Sequence, residues 1–292
     1  MGHKAGFVNI IGNPNVGKST LMNRLAGRKL AIVTSRAQTT RHRLLGIVSG
    51  DDFQIVYSDT PGMVRPRYKL QEYMVKAVYT ALEDADIILF VTDVKENPEK
   101  DHLLTEKIKH INVPVLLVLN KTDLSDPAAL DLLLQKWAEK LPGAEIFPVS
   151  ALLGANLDKL FGRILELLPE NPPFYPKDQI TDKPERFFVE EIIREKILMF
   201  YRQEIPYSVE VVVESFREEE KIIRISARIF VMRDSQKGIL IGHQGKALKK
   251  TGTEARKEIE AFFGKKVFLE LFVKVKKDWR DKERILRNLG YR

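Results

Sequence analysis

Lys18 and Ser19 close the run Gly12-Asn13-Pro14-Asn15-Val16-Gly17-Lys18-Ser19-Thr20, which has the spacing G-x-x-x-x-G-K-[ST]. Glycines at its ends let backbone N–H groups converge on phosphate oxygens. A helix starting at Lys18 adds partial positive charge at the same point. Lys18 is then expected to reach the β- and γ-phosphates, and the Ser19 hydroxyl to bind Mg²⁺. All residues from Asn13 to Thr20 are candidates for nucleotide contact. A bare Gly-rich turn with an incidental lysine is the competing reading. It is disfavoured because the apolar run Phe7-Val8-Asn9-Ile10-Ile11 precedes the loop and the helical pattern Leu21-Met22-Asn23-Arg24-Leu25 follows it. The chemistry implied is the binding of a nucleoside triphosphate with Mg²⁺.

Further residues of the same chemistry follow in order. Thr34-Ser35-Arg36-Ala37-Gln38-Thr39-Thr40-Arg41-His42-Arg43 is a polar, basic loop in which Thr39 or Thr40 could give Mg²⁺ a hydroxyl when a γ-phosphate is present. Asp59-Thr60-Pro61-Gly62 ends the strand pattern Phe53-Gln54-Ile55-Val56-Tyr57. Asp59 is positioned to hold Mg²⁺, and the Gly62 N–H to sense the γ-phosphate. Asn120-Lys121-Thr122-Asp123 ends the apolar run Val113-Pro114-Val115-Leu116-Leu117-Val118-Leu119. A carboxylate at Asp123 can accept from guanine N1–H and its exocyclic amine, an arrangement adenine does not offer. Asn120 is expected at the other base edge, and the Lys121 stem either lies against the base or braces the loop. Ser150-Ala151 follows the strand Ile146-Phe147-Pro148-Val149, and its N–H groups could face guanine O6.

The elements that must carry these groups are legible too. Ile87-Ile88-Leu89-Phe90-Val91 and the run at 113–119 are continuously apolar, as strands buried on both faces are. A charged helical stretch runs between them from about Pro98 to His110. Motifs that all fall at strand ends fit an open α/β sheet, whose ligand chemistry gathers beyond the carboxyl ends of its strands.

In this order the residues resemble the translation-factor-related GTPases, with Gly12–Ser19, Thr40, Asp59–Gly62, Asn120–Asp123 and Ser150–Ala151 standing at the five nucleotide motifs. The resemblance reaches about Leu168. It selects Thr40 over Thr39 by analogy with related Thr-Thr-Arg loops, so Ser19, Thr40 and Asp59 are the expected metal ligands. Lys18, Thr40, Gly62 and Asn15 are expected to bear on hydrolysis. One departure stands out: Met63 occupies the position where Ras-type enzymes carry a glutamine, and Met63 cannot polarise water. Slow intrinsic hydrolysis is expected. Asn15 resembles the loop asparagine that binds an activating K⁺ in some relatives; bracing of the loop is the alternative.

Charge divides the chain. From Lys246 to Arg292 there are 15 Lys and Arg against 7 Asp and Glu, which accounts for the whole net charge of +8. Such localisation favours a polyanionic partner, nucleic acid or an anionic membrane face. Zero cysteines exclude disulfides and thiol catalysis. The histidines have no metal-ligand spacing, and no apolar run is long enough to span a bilayer. No acceptor-activating base is evident, which disfavours a metabolic phosphotransferase. The segment 171–184 holds four prolines and reads as a linker between domains at 1–170 and 185–292.

Beyond the linker, 186–204 has an amphipathic helical pattern with Phe188, Ile192, Leu198 and Tyr201 inward and Glu190, Glu191 and Arg194 outward. Two strand patterns follow, at 209–213 and 222–231, then Ile239-Leu240-Ile241-Gly242-His243-Gln244-Gly245-Lys246, a helix to about Phe263 and a strand at 267–275. G-x-x-G with lysines behind it in an α-β-β-α-α-β order resembles a type II KH domain. That resemblance implies a loop clamping single-stranded RNA at Gly242, His243, Gln244 and Gly245, with charge from Lys246, Lys249 and Lys250. Base edges would lie in an apolar groove near Ile239 and Ile241. The fold class expected is an α/β P-loop GTPase domain, a mostly parallel sheet with helices on both faces, followed by an α+β type II KH domain.

Taken whole, and with Gln38-Thr39-Thr40-Arg41-His42-Arg43 in the switch loop, the chain resembles the bacterial Era GTPases. That resemblance implies GTP/GDP and Mg²⁺ as ligands and a role in 30S ribosomal subunit maturation, near the 3′ end of 16S ribosomal RNA. It also implies a cytoplasmic location with peripheral association at the inner membrane face. A membrane-surface signalling GTPase whose basic end docks on lipid or protein is the competing function.

Overall fold

The computed structural model describes residues 2–99 and 104–291. It divides into two compact units, one formed by Met1–Arg67 with Gln71–Asp182, the other by Tyr68–Leu70 with Lys183–Arg292.

In the first unit the elements run β1 (Lys4–Gly12), α1 (Lys18–Leu25), β2 (Leu44–Ser49), β3 (Phe53–Asp59), α2 (Lys69–Glu83) and β4 (Ile87–Asp93). Then come α3 (Thr105–Ile108), β5 (Val115–Asn120), α4 (Pro127–Lys140), β6 (Glu145–Pro148) and α5 (Leu157–Leu167). The helical pattern expected from Pro98 lies partly outside the described residues; within its described part Thr105–Ile108 is helical. The sheet order is β2-β3-β1-β4-β5-β6. Every pairing is parallel except β2 with β3. The chain moves from β1 to one side and then crosses to the other, so a crevice opens beyond the carboxyl ends of the central strands. All seven residues of β4 are buried, which is why its sequence is apolar without alternation. Trp137 of α4, Val78 of α2 and Phe90 of β4 share one core, with the Phe90 and Trp137 rings edge-on at 5.8 Å. Each such fully buried side chain contributes roughly 1.5–3 kcal/mol over its exposed state.

The proline-bearing segment is held against the first unit. Gln54 accepts from the N–H groups of Phe174 and Tyr175 and donates to Tyr175 O. Ile47 N–H donates to Ile180 O, and Gly46 bridges Thr181 antiparallel, so residues 180–182 lie along the edge of β2.

The second unit holds α6 (Glu185–Phe200), α7 (Ile205–Ser208), β7 (Glu210–Glu218), β8 (Ile222–Val231), α8 (Asp234–Ile241), α9 (Lys246–Phe263), β9 (Lys266–Val275) and α10 (Glu283–Asn288). Its sheet runs β7-β8-β9, antiparallel then parallel. Inward Ile223, Ile225, Ala227 and Ile229 of β8 pack with Val189 and Ile193 of α6 and Ala255 and Ile259 of α9. Phe188, Ile192, Leu198 and Tyr201 are buried as expected. Arg194, expected outside, is buried at 2% exposure. Its guanidinium is satisfied by both Glu191 oxygens, at 2.7 and 2.5 Å, which removes the reason for it to seek water. Glu190, also expected outside, accepts from Val213 N–H at 2.8 Å, and burial pushes its carboxyl up to about 7.

Candidate nucleotide site and candidate RNA groove

The phosphate loop spans the end of β1 and the start of α1. Gly17 has φ 98, a left-handed conformation, and a Cβ there would run into the Asn120 amide. Lys18 is buried, and its Nζ donates to Asn13 O at 2.8 Å and Gly12 O at 3.2 Å. Burial lowers its pKa to about 8, against the opposing pull of Asp59 and Glu96. An ammonium held this way gains most when phosphate charge arrives beside it.

Three oxygens converge in front of Lys18. Ser19 Oγ donates to Asp59 Oδ2 at 2.7 Å, Thr40 Oγ1 donates to the same oxygen at 3.1 Å, and the two hydroxyls lie 2.9 Å apart. Asp59 Oδ1 is buried and has no hydrogen-bond partner among the described residues. Burial also raises the Asp59 pKa. Buried, clustered hard oxygens with an unsatisfied carboxylate atom fit a small divalent cation such as Mg²⁺. Thr39 points elsewhere: its hydroxyl meets Thr34 Oγ1 at 2.7 Å and Arg36 O at 2.7 Å. A cavity of about 420 Å³ opens here between Pro14, Ser19, Thr34, Thr40, Gly62 and Lys121, and Asn15, Gly17, Lys18 and Thr20 also line it. Gly62 packs so closely on the loop that a Cβ would stand 2.7 Å from Pro14 N and Cα. Only glycine brings the Asp59–Gly62 turn to the phosphates.

The base-recognising end differs in detail from expectation. Asn120 is buried and spends its amide on the protein: Nδ2 donates to Val16 O at 2.8 Å, and Oδ1 accepts from Ala151 N–H at 2.9 Å. Asn120 therefore ties the phosphate loop to the 150–151 turn, and its second Nδ2 hydrogen is left over for a base edge. Ser150 N–H donates to Ala155 O, so neither Ser150 nor Ala151 directs its N–H at O6 in this structure. Lys121 takes the bracing role, with Nζ donating to Asn15 O at 2.6 Å and to Asp93 at 2.5 Å. Asp123 is exposed, and one of its oxygens accepts from Ser150 Oγ at 2.5 Å. That bond fixes the carboxylate plane and leaves the other oxygen to accept from a base.

Sequence reading missed the supports at the end of β4. Glu96 accepts from Asn13 Nδ2 at 2.7 Å and from Thr92 Oγ1 at 2.7 Å, so the Asn13 side chain braces the loop. Arg43 pairs with Asp84 and donates to Ser58 Oγ at 2.6 Å, anchoring the end of the switch loop. The signal for the first was Thr-Asp-x-x-Glu at a strand's carboxyl end; the second had none.

In the second unit α8 stops at Gly242, with φ 72, where a Cβ would meet Ala247 Cβ at 2.6 Å. Gln244 is left-handed at φ 51, Gly245 at φ 74, and α9 begins at Lys246. His243, Gln244, Lys246, Lys249 and Lys250 are exposed, Lys250 over the Phe200 ring at 4.7 Å. A groove of about 350 Å³ opens beside this loop, lined by Gly245, Leu248, Lys249, Gly252, Leu269 and Leu271. Its apolar wall is thus α9 and β9. Ile239, 51% exposed on α8, and half-buried Ile241 stand on the helix before the loop and are not part of this cavity's lining. Helical spacing turns Leu240 inward, where Tyr201 Oη donates to its carbonyl at 2.7 Å. Tyr201 also meets Thr251 Oγ1 at 3.2 Å, which fixes the loop between the two helices.

Comparison with known proteins agrees with this division. A family model described as 50S ribosome-binding GTPase matches residues 7–121, and a KH domain model matches residues 204–280. GTPase Era of Staphylococcus haemolyticus is 47% identical over 291 residues, covering 99% of this chain and 97% of the relative. The Staphylococcus epidermidis protein of the same name is 46% identical over the same length. The crystal structure of an Aquifex aeolicus Era variant bound to GDP·AlF4⁻ superposes with a TM-score of 0.94 at 41% identity, covering 99% of both chains. A structure of Era with MgGDPNP and nucleotides 1506–1542 of 16S ribosomal RNA matches with a TM-score of 0.94 at 42% identity, again over 99% of each chain. A P-loop GTPase unit and a KH unit, joined in one chain and matched end to end at this identity, make the protein a member of the Era family of GTPases.

Proposed function

We propose that this GTPase is a nucleotide-switched factor that binds single-stranded 16S ribosomal RNA near its 3′ end during 30S subunit maturation. Residues 1–170 form its nucleotide domain, 171–184 the connector and 185–292 the RNA-binding domain. The observation that carries the reading is the pairing, in one chain, of the Ser19–Thr40–Asp59 oxygen cluster with a lysine-flanked G-x-x-G loop beside an apolar groove. The Era relative crystallised with MgGDPNP and a 16S fragment supports it. In this reading Ser19, Thr40 and Asp59 hold Mg²⁺, which neutralises phosphate charge. Lys18 meets the β- and γ-phosphates, Gly62 N–H the γ-phosphate and Asp123 the guanine. Loss of the γ-phosphate frees the switch loop that leads into β2.

Cytoplasmic residence fits a ribosomal partner. Among the described residues no helix is long and apolar enough to cross a membrane. Peripheral membrane association is the second reading, favoured only by the basic end. Sedimentation tests both: the GTP-analogue form should pellet with purified small subunits and the GDP form should pellet less. Pelleting with anionic vesicles but not with subunits, in either state, would reverse the assignment.

Hydrolysis is expected near ~10⁻⁴ s⁻¹ without a partner, because buried Met63 offers no group to orient water. Asn15 is left-handed at φ 65 and lines the phosphate cavity, and we assign it an activating K⁺. Replacing Na⁺ by K⁺ should accelerate the wild type and leave Asn15→Ala unchanged; equal rates in both salts for wild type would remove the ion.

A further inference from the structure

The outer face of the second sheet carries a pattern the groove does not use. The β8–β9 register sets Arg224 beside Phe268 and Arg228 beside Phe272, on the side opposite buried Ile223, Ile225, Ala227 and Ile229. Phe268 and Phe272 are 45% and 52% exposed. An outward β position ordinarily takes a polar side chain. Here two large apolar rings stand in water, about 13 Å apart along one strand. The Arg224 guanidinium lies 5.6 Å from the Phe268 ring centroid. Glu219 and Glu214 hold Arg224 and Arg228 at 3.0 and 2.8 Å, so both guanidinium groups are oriented on this face. Farther along, Lys276 stands 4.5 Å over Phe230. Between the rings stands Glu270, in register with Ser226, a third carboxylate on this face besides Glu214 and Glu219.

Exposed aromatic rings alternating with cations are the chemistry that stacks bases while neutralising phosphates. A lipid headgroup layer would use the charge but not ring spacing along a strand. A second copy of the chain would set cation against cation across a two-fold axis, at a cost of like-charge repulsion. Continuity with the groove points the same way. β9 is one of the sheet's two edge strands, giving Leu269 and Leu271 to the groove and Phe268 and Phe272 to the outer face.

We propose that the outer face of β8 and β9 is a second single-stranded RNA surface, on which bases stack against Phe268 and Phe272 while Arg224 and Arg228 meet the adjoining phosphates. This rests on the RNA reading of the groove, from which the strand continues round β9.

Fluorescence anisotropy on the full chain with GTP analogue, at fixed salt, tests it with two labelled RNAs of 3′-terminal small-subunit sequence. One is about four nucleotides, enough for the G-x-x-G loop alone, and the other about ten. Phe268→Ala with Phe272→Ala should weaken the long RNA on the order of tenfold or more and leave the short one unchanged. Trp at both positions should restore the long RNA, because it keeps the stacking face. Equal affinity of wild type and the Ala variant for the long RNA overturns the surface. So does an equal loss on both lengths that Trp does not restore. Loss of phosphatidylglycerol-vesicle binding, or of a dimer, with long-RNA affinity intact would give the face to lipid or to a second copy and equally overturn it. His243→Asp with Gln244→Asp separates the premise: it should abolish binding at both lengths, and if it does not, the groove reading itself has failed.

Discussion

Asp123→Asn should turn the protein from a guanine-nucleotide binder into a xanthine-nucleotide binder. The reason lies in which oxygen is already engaged. Ser150 Oγ donates to one carboxylate oxygen at 2.5 Å, so an asparagine there must turn its carbonyl toward Ser150. The amide N–H₂ then faces the base, donor against the two donors of guanine N1–H and its amine. Xanthine offers a carbonyl at the same place and is accepted. Mismatch of such built-in hydrogen bonds costs on the order of 10⁴-fold. GTP affinity should therefore fall by roughly that factor, while xanthosine triphosphate rises to replace it, as read by competition against a fluorescent nucleotide. Adding Ser150→Ala should blunt the switch, since the amide can then rotate. Equal GTP binding by wild type and Asp123→Asn would sink the guanine assignment.

His243→Asp with Gln244→Asp should abolish binding to single-stranded ribosomal RNA. Both side chains are exposed between Gly242 and Gly245, and at Gly245 the absent Cβ would have stood in open space where a phosphate can approach the backbone. Two carboxylates set against that phosphate cost several kcal/mol, or at least about a hundredfold in affinity. Neither residue packs in the core, so unfolding is not the expected cause. GTP affinity should be unaffected, because the loop belongs to the other compact unit. Wild-type binding should fall steeply with salt, about 0.7 counterions being released per neutralised phosphate. At fixed salt it should still prefer a matched over a scrambled single strand, and duplex should compete poorly because its base edges are paired. Equal affinity for matched and scrambled strands, unchanged in the double variant, would reduce this region to a basic surface.

What the sequence determined by itself is the chemistry that is local in the chain. Gly12–Ser19 reads as a phosphate loop because strand, glycine turn and helix are consecutive. Asp59–Gly62 and Asn120–Asp123 read equally well, since each ends an apolar strand. Gly242–Gly245 was legible for the same reason, as a break between two helical patterns. Tertiary structure decided what each side chain is spent on. In sequence Asn120 reads as a base contact and the Lys121 stem as either a base contact or a loop brace; the chain folds Val16 and Ala151 against the Asn120 amide, and Asn15 and Asp93 against the Lys121 ammonium, which selects the brace. Their partners lie tens of residues away, beyond any periodic pattern. Arg194 reads as a surface cation until Glu191 is found to take its guanidinium inside. Adjacency to G-x-x-G was the only cue for placing bases near Ile239 and Ile241, and that cue does not reach β9. The wall seen in the structure, Leu269 and Leu271, comes from a strand that alternates Val267, Leu269, Leu271 and Val273 with Lys266, Phe268, Glu270 and Phe272, and the fold sets the first face against the helices. Residue type and spacing fix the bonds a segment can make; the fold, by bringing distant donors and acceptors together, fixes which of them remain for a ligand.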